Sequence, residues 1–453
     1  MPVTKKMTAP DAAWLRMETP SNPMTITGVM MTAERMTREQ VIEIFEERFL
    51  HYQRFRMRVD NPESSRPNWV LEDSFDINRH ILPFELPTPG DQDALERSVS
   101  DLMSTPLSFA MPPWTIHHVE NYGKGSALIV RLHHCIADGI AMMHVLLSMS
   151  DEMWDPSTIS KPATPKPKRS LGSQLKRTAL GALGETKDLV TRPSHLAKRA
   201  KQAGGGTKSL AMLLAMRPDS HTRFKGPASP QKQAAWSRPI SVESIKAIGE
   251  ATGAKINDVL MTAVSGGLRR YLADQGDSTL GVEIRAAVPF NVRSSERAHE
   301  LGNAFALVFL PLPVGIEDPI TRLDAIKARM DVIKKSSDPA IVFGILQSIG
   351  FAPGWVHRQV VKMFSEKCSL VVTNVPGPTD QLHWLGVPID SLMFWVPQAG
   401  NIGVGISILS LNGEVLVGVA ADANLVADPN VLVSSFEAEF DALLARYPEE
   451  VPA

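Results

Sequence analysis

Residues 131–139, RLHHCIADG, place two histidines side by side and an Asp-Gly pair four residues after the second histidine. The apolar run before the histidines predicts a strand, and the periodicity of the apolar residues after position 139 predicts a helix. The histidines therefore fall where a strand passes into a loop, and such junctions often line ligand crevices in α/β sheets. A histidine there can act as a general base, because its unperturbed pKa is about 6.5.

The spacing also indicates structural roles for the Asp-Gly pair. Asp138 can hold the loop by pairing with a distant arginine or with backbone N–H groups, and Gly139 removes side-chain bulk where the chain turns into the helix. The alternative interpretation is structural, because adjacent histidines in a strand are more often structural than catalytic. We interpret His117 and His118 in that way. The Asp-Gly at a fixed distance favours chemistry for the second pair.

Size and composition bound the remaining possibilities. The chain has 453 residues, 43% of them hydrophobic and 21% charged, which predicts a globular protein of two or three domains. A net charge of −2 argues against nucleic acid as the main partner. Cys135 and Cys368 lack the spacing of a zinc site and are too few for a disulfide framework, so we expect no metal and a cytoplasmic location.

Membrane insertion is not expected. The first 20 residues have no long apolar core, and the uncharged stretch at residues 391–413 contains Pro397, Gln398 and Asn401. These residues would leave polar groups poorly satisfied in lipid. We interpret the stretch as buried strands and a turn.

Periodicity predicts an alternation of strands and helices. Thr37 and Gln40 form a predicted capping box at the start of a helix, and residues 122–125 form a predicted hairpin turn. Strands are predicted at residues 23–32, 114–121, 126–134, 282–293, 303–314, 368–378 and within 391–419, and helices at 37–52, 241–252, 256–273, 318–335 and 429–447.

The charge distribution suggests three parts: an N-terminal domain at residues 1–155, a basic linker or crossover with short helices at 156–230, and a C-terminal domain at 231–453. Residues 161–225 hold 15 Lys and Arg against 3 Asp and Glu. This segment is either a solvated crossover or a surface that is attracted to an anionic membrane or lipid droplet. The sequence leaves both open.

The motif HHxxxDG is the signature of the CoA-dependent acyltransferase superfamily, which includes chloramphenicol acetyltransferase and peptide-synthetase condensation domains. More narrowly, the sequence resembles the bacterial bifunctional wax ester synthase/diacylglycerol acyltransferase family. The resemblance covers nearly the whole chain, and Pro113 stands where the family usually has Leu. It is carried by blocks at residues 11–30, 112–120, 257–272, 285–293, 301–303 and 373–378.

The resemblance implies an α/β (α+β) fold of two chloramphenicol-acetyltransferase-like domains. Each would be a mixed β-sheet flanked by helices, with a tunnel between the domains that CoA and the alcohol enter from opposite sides. His134 takes the place of the catalytic base and Asp138 that of the structural aspartate, while His133 would shape the pocket. Asn257 is a candidate for binding substrate or the oxyanion, although it also suits a helix N-cap.

The implied activity is an acyl-CoA-dependent O-acyltransferase. It would pass a long-chain acyl group to a fatty alcohol, to diacylglycerol, or to both, with no acyl-enzyme and no cofactor. Cys135, beside the base, is expected to be a packing residue. Two alternatives remain: the same fold acting on another hydroxyl acceptor or a carrier-bound donor, and a non-catalytic scaffold on lipid droplets.

Overall fold

The computed structural model describes residues 3–155, 215–291, 301–335 and 351–447. Most of the predicted basic segment lies outside these ranges. The helices are α1 Ala9–Met17, α2 Arg38–Ile44, α3 Gln92–Met103, α4 Gly139–Met149, α5 Val242–Thr252, α6 Ile256–Asp274, α7 Pro319–Lys335, α8 Gly354–Lys367 and α9 Pro429–Leu444. The strands are β1 Thr4–Lys6, β2 Thr25–Thr32, β3 Met57–Asp60, β4 Asn68–Leu71, β5 Ile81–Pro83, β6 Trp114–Tyr122, β7 Gly125–His133, β8 Lys232–Trp236, β9 Ile240–Ser241, β10 Ile284–Asn291, β11 Phe305–Leu312, β12 Leu370–Pro376, β13 His383–Trp384, β14 Val387–Trp395, β15 Val404–Leu411 and β16 Glu414–Asp422.

A six-stranded mixed sheet carries the histidine motif. Its strand order is β13-β14-β2-β7-β6-β5, and β7 ends at the first histidine of the pair. The predicted hairpin between β6 and β7 is confirmed, with Tyr122 paired to Gly125. β2 pairs antiparallel with β7 along nearly its whole length, so the core strands on both sides of the motif are fixed in register.

A seven-stranded mixed sheet forms the second half, in the order β11-β10-β12-β15-β16-β8, with β9 paired to β16. β12 and β15 lie parallel and adjacent, yet the chain between them leaves this sheet. It forms β13 and β14, which join the six-stranded sheet through the pairing of β14 with β2. The two sheets are therefore interlocked, and the predicted boundary between residues 1–155 and 231–453 does not separate them cleanly.

An apolar cluster fills the space between the two sheets. The six-stranded sheet contributes Val29, Ile129 and Met393, and the other sheet contributes Trp236 and Leu416. Helix α3 packs into the same cluster and holds the edge strand β8, since the hydroxyls of Ser100 in the helix and of its C-cap Ser104 accept backbone N–H groups of that strand. The predicted tunnel would run here, and it stays a prediction.

Helix α2 departs from its predicted length. The Thr37–Gln40 capping box is confirmed, but the α-helix ends at Ile44 and the chain continues as a π-helix over Phe45–Phe49. Arg48 in this wider turn is buried and donates to the Met149 carbonyl at 2.6 Å. The π-helix thereby anchors the end of α4, the helix that follows the histidine motif.

Among the described residues, no helix is both long and apolar enough to cross a bilayer. The stretch at 391–413 forms parts of β14 and β15 joined by a connection, and it ends in the turn before β16. This agrees with its interpretation as buried strands and a turn.

Candidate active site

The motif forms the predicted strand, loop and helix. His133 is the last residue of β7, and Asp138 is the N-cap of α4. The His134 N–H donates to the Met24 carbonyl at 2.7 Å, which fixes the start of the loop against the chain before β2. His133, His134 and Asp138 are all buried. The loop is thus held at both ends inside the protein.

Asp138 ties α4 to the loop that precedes β11. Its Oδ1 accepts the Ala141 N–H at 3.0 Å, and its Oδ2 accepts the Ala304 N–H at 2.9 Å. The Asp138 N–H donates to the Gly302 carbonyl at 3.3 Å. Among the described residues, backbone N–H groups of α4 and of the loop before β11 therefore bind this carboxylate. Both halves of the chain meet at this residue.

Gly139 and Asn257 each lie near β12. A Cβ atom on Gly139 would lie 3.7 Å from the Phe394 ring and 3.9 Å from Val375, which are ordinary contact distances. Beside Val375 in β12, the Nδ2 of Asn374 donates to the Oδ1 of Asn257 at 2.7 Å. Val375 and Asn374 are consecutive in β12, so their side chains project from opposite faces of the sheet.

The N-cap interpretation of Asn257 is wrong. The N-cap of α6 is Lys255, so Asn257 lies inside the first turn, and it is the Asp258 carboxylate that accepts the Lys255 N–H at 2.9 Å. Asn257 instead lines a groove of about 570 Å³ together with Lys246 and Lys255. A role for Asn257 in binding substrate or the oxyanion stays a prediction.

The His134 ring is held by Asn303, from the loop before β11. The His134 Nδ1 lies 2.9 Å from the Asn303 Oδ1. The Asn303 Nδ2 donates to the His134 carbonyl at 2.8 Å and to the Asp11 Oδ1 at 3.0 Å. Asp11 is fully buried and also accepts the Asn303 N–H at 3.1 Å. Three distant segments of the chain therefore meet at one amide.

These contacts determine the tautomer of His134. Both partners of the Asn303 Nδ2 are pure acceptors, so the amide cannot be reversed, and its oxygen must face the ring. An amide oxygen only accepts, and the His134 Nδ1 must therefore carry the proton. In the neutral ring Nε2 is then left with a free lone pair.

His133 has the opposite tautomer. Its Nδ1 accepts the Cys135 N–H at 3.1 Å, so its proton is on Nε2, which donates to the Glu18 Oε2 at 2.8 Å. The same Glu18 oxygen accepts the Met24 N–H at 3.2 Å. Both nitrogens of His133 are occupied, and the ring has no lone pair to offer a substrate.

The surroundings keep the His134 ring neutral. Burial lowers the pKa of His134 to about 4, against the opposing charge of Asp138. The Trp14 indole stacks on the ring with 3.8 Å between centroids and 11° between planes. The Trp14 Nε1 is buried without a hydrogen-bond partner within the described ranges. At neutral pH this site thus holds an unprotonated imidazole beside an unused N–H donor.

Two further kinds of group that can carry chemistry are a reactive thiol and a metal site. Burial raises the pKa of the Cys135 thiol well above its usual value, which keeps the sulfur protonated and a poor nucleophile. In the part of the chain that the structure describes, no three His, Cys, Asp or Glu side chains are grouped to hold a metal ion.

Sequence reasoning missed four residues of this site. Asp11, Trp14 and Glu18 lie on or just after α1, within the block at residues 11–30. Asn303 closes the block at residues 301–303. The blocks were visible in the sequence, but their contacts with the histidines were not, since Asn303 is 169 residues from His134.

Comparison with known proteins defines the class. The structure of the wax ester synthase/diacylglycerol acyltransferase from Marinobacter aquaeolei VT8 matches with a TM-score of 0.71 and 18% identity, covering 98% of this chain and 100% of that one. A probable diacylglycerol O-acyltransferase of Mycobacterium tuberculosis is 26% identical over 395 residues, 86% of this chain and 84% of the relative. Wax ester synthase/diacylglycerol acyltransferase 1 of Arabidopsis thaliana is 25% identical over 409 residues, 83% and 82% of the two chains. The protein is an acyltransferase.

The family follows from the match over most of the chain. Residues 7–260 match the wax ester synthase/diacylglycerol acyltransferase catalytic domain, and residues 301–444 match the C-terminal domain of the same family. The chain belongs to the wax ester synthase/diacylglycerol acyltransferase family. The predicted family and fold class are confirmed.

Replacing Asp138 with Ala should destabilise the protein by roughly 1.5–3 kcal/mol, because it removes an N-cap and leaves the half-buried Ala304 N–H without its acceptor. Urea unfolding at pH 7 measures the change. The matched control is Asp91→Ala, which removes only the N-cap of α3 and should cost about 1 kcal/mol. Equal losses for the two variants would show that the Asp138–Ala304 contact contributes nothing.

Proposed function

We propose that the protein transfers a long-chain acyl group from acyl-CoA to the hydroxyl of a fatty alcohol, a diacylglycerol, or both. The His134 Nε2 is the general base. One observation carries this assignment: the hydrogen bond of the His134 Nδ1 to Asn303, which leaves Nε2 as the free basic nitrogen. The names of the relatives, diacylglycerol O-acyltransferase and wax ester synthase, support the two acceptors.

The proposed reaction is a direct transfer. The His134 Nε2 takes the proton of the acceptor hydroxyl as its oxygen attacks the thioester carbonyl carbon. A tetrahedral oxyanion forms, and its collapse breaks the carbon–sulfur bond and releases the CoA thiolate. The proton on Nε2 then passes to that sulfur, so the imidazole ends the cycle neutral. General-base assistance of this kind is worth roughly 10²–10⁴ in rate.

No covalent acyl-enzyme and no cofactor enter this scheme. The thioester already supplies an activated acyl group, and the buried, protonated Cys135 thiol favours direct transfer over an acyl-cysteine. The oxyanion requires preorganised donors. The unpartnered Trp14 Nε1, beside the base, is one candidate, and Asn257 is the other.

Two alternative functions compete with this proposal. Another hydroxyl acceptor, or a carrier-bound donor, would use the same base and is kept as the alternative. A non-catalytic scaffold is disfavoured, because His134 retains a free basic nitrogen and the motif is intact. Peripheral association with a membrane or lipid droplet stays a prediction, since residues 161–214 lie outside the described ranges.

His134→Ala should lower acyl transfer by roughly 10²–10⁴-fold, because the general base is lost. The measurement is free-thiol release from palmitoyl-CoA with hexadecanol or dipalmitoylglycerol as acceptor. His144→Ala, on the exposed face of α4, is the control and should match the wild type. Acceptor-dependent release that survives in His134→Ala would overturn the assignment, and no release by the wild type would redirect the proposal to another donor or acceptor.

Asn303→Ala should lower kcat by roughly 10–100-fold with little change in KM for palmitoyl-CoA, because Asn303 positions the base. Its side chain is engaged by His134 and Asp11, which occupy its amide oxygen and both of its N–H groups. Steady-state kinetics separate the two constants, and Asn78→Ala at an exposed site is the control. An unchanged kcat would show that Asn303 does not hold the reactive tautomer.

A further inference from the structure

A single row of polar side chains crosses four adjacent strands of the six-stranded sheet. Trp395 on β14 is paired with Thr27 on β2, Thr27 with Arg131 on β7, and Arg131 with Thr115 on β6. Partners in an antiparallel pair project from the same face. With about 4.8 Å between strands, the row is about 14 Å long.

Every member of this row has a polar atom without a partner. The Trp395 Nε1, the Thr27 Oγ1, the Arg131 Nε and the Thr115 Oγ1 are all buried and make no hydrogen bond to any residue that the structure describes. Buried polar groups are normally paired, because an unmade hydrogen bond leaves their desolvation uncompensated. Four such atoms in one line indicate a missing polar group that would lie against them.

Arg131 sets the charge of that missing group. It is 4% exposed, its Nη2 donates to the Thr105 carbonyl, and no ion pair within the described ranges includes it. Burial lowers the pKa of Arg131 to about 10, so the guanidinium stays charged at pH 7. Burial and this same cation lower the pKa of the neighbouring His117 to about 4, which leaves that ring neutral. A buried cation without a counter-charge favours an anion.

Among the described residues of the facing sheet, the charged side chain at this place is already paired. Lys232 points into the space between the sheets but pairs with the Asp422 carboxylate at 2.7 Å. Lys232 and Trp395 border a cavity of about 10 Å³ that is also lined by Thr25 and Gln398. This volume holds about one water molecule, so a larger ligand requires side chains to move apart. Met103 and Met393 lie at this place, and methionine adapts to such changes with little strain.

The face changes character along β7. His133 follows Arg131 by two residues in the direction of the catalytic loop, whereas Ile129 precedes it by two and is paired with Val29. Ile129 and Val29 belong to the apolar cluster between the sheets. A polar row that borders an apolar space matches a molecule with a polar head and an aliphatic chain.

We propose that this row, Trp395–Thr27–Arg131–Thr115, binds the oxyanion headgroup of a long-chain amphiphile. The headgroup is a carboxylate or a phosphate monoester, which can accept from the Arg131 guanidinium and from the flanking hydroxyls of Thr27 and Thr115. The aliphatic chain lies in the apolar cluster between the two sheets. Competition with an acyl or alcohol chain for that space rests on the proposed function, but the binding itself does not.

The test is calorimetric binding to the full chain of palmitate, hexadecyl phosphate and hexadecanol, each below its micelle concentration. These probes share one chain length and differ in the headgroup. At least one of the two anions should bind the wild type tenfold or more tightly than hexadecanol, and the tighter anion identifies the headgroup. Equal affinity of hexadecanol and both anions would overturn the proposal.

Arg131→Met should bring the anions to the affinity of hexadecanol, while Arg56→Met, an exposed charge, should leave all three unchanged. Thr27→Val and Thr115→Val remove one hydroxyl each at nearly constant volume and should weaken anion binding several-fold, which covers the case of a misfolded Arg131 variant. Thermal unfolding gives a second readout, since palmitate should raise the Tm of the wild type but not of Arg131→Met. Retained anion preference in Arg131→Met would refute the site.

Discussion

The amide of Asn303 is the contact on which the active site depends. Its two N–H groups go to the His134 carbonyl and to Asp11, so its oxygen is left for the His134 ring. Asp11 needs those donors because its carboxylate is fully buried, and burial raises its pKa. Helix α1, the loop at residues 134–138 and the loop before β11 are therefore held together by the groups that also set the tautomer of His134.

The two histidines of the motif differ because their neighbours differ. Backbone and Glu18 occupy both nitrogens of His133, whereas His134 is held through one nitrogen only. Burial and the stacked Trp14 indole keep the His134 ring neutral and oriented. The Asp138 carboxylate binds backbone N–H groups of α4 and of the loop before β11. Its negative charge also acts on His134, where it opposes the lowering of the pKa by burial. Adjacent identical residues thus acquire separate roles from the hydrogen bonds around them.

Local patterns predicted much of this fold. The Thr37 capping box, the hairpin between β6 and β7, and the helix after the histidines are short-range features, and each is confirmed. The exchange of β14 into the six-stranded sheet could not be predicted, because an apolar alternation does not say which sheet a strand joins. The partners of His134 could not be predicted either, because Trp14 and Asn303 are distant in the sequence and contact His134 only through tertiary packing. The alternative interpretation of Asn257 as an N-cap is wrong because α6 begins before it, at Ile256.

The most direct measurement is the tautomeric state of the two histidines, from long-range ¹H–¹⁵N NMR correlations of the imidazole rings at pH 7. The His133→Ala and His134→Ala variants assign the signals. We expect a neutral His134 with its proton on Nδ1 and a His133 with its proton on Nε2. A His134 ring protonated on Nε2, or an imidazolium at this pH, would contradict it, because the nitrogen that must take the hydroxyl proton would already carry one.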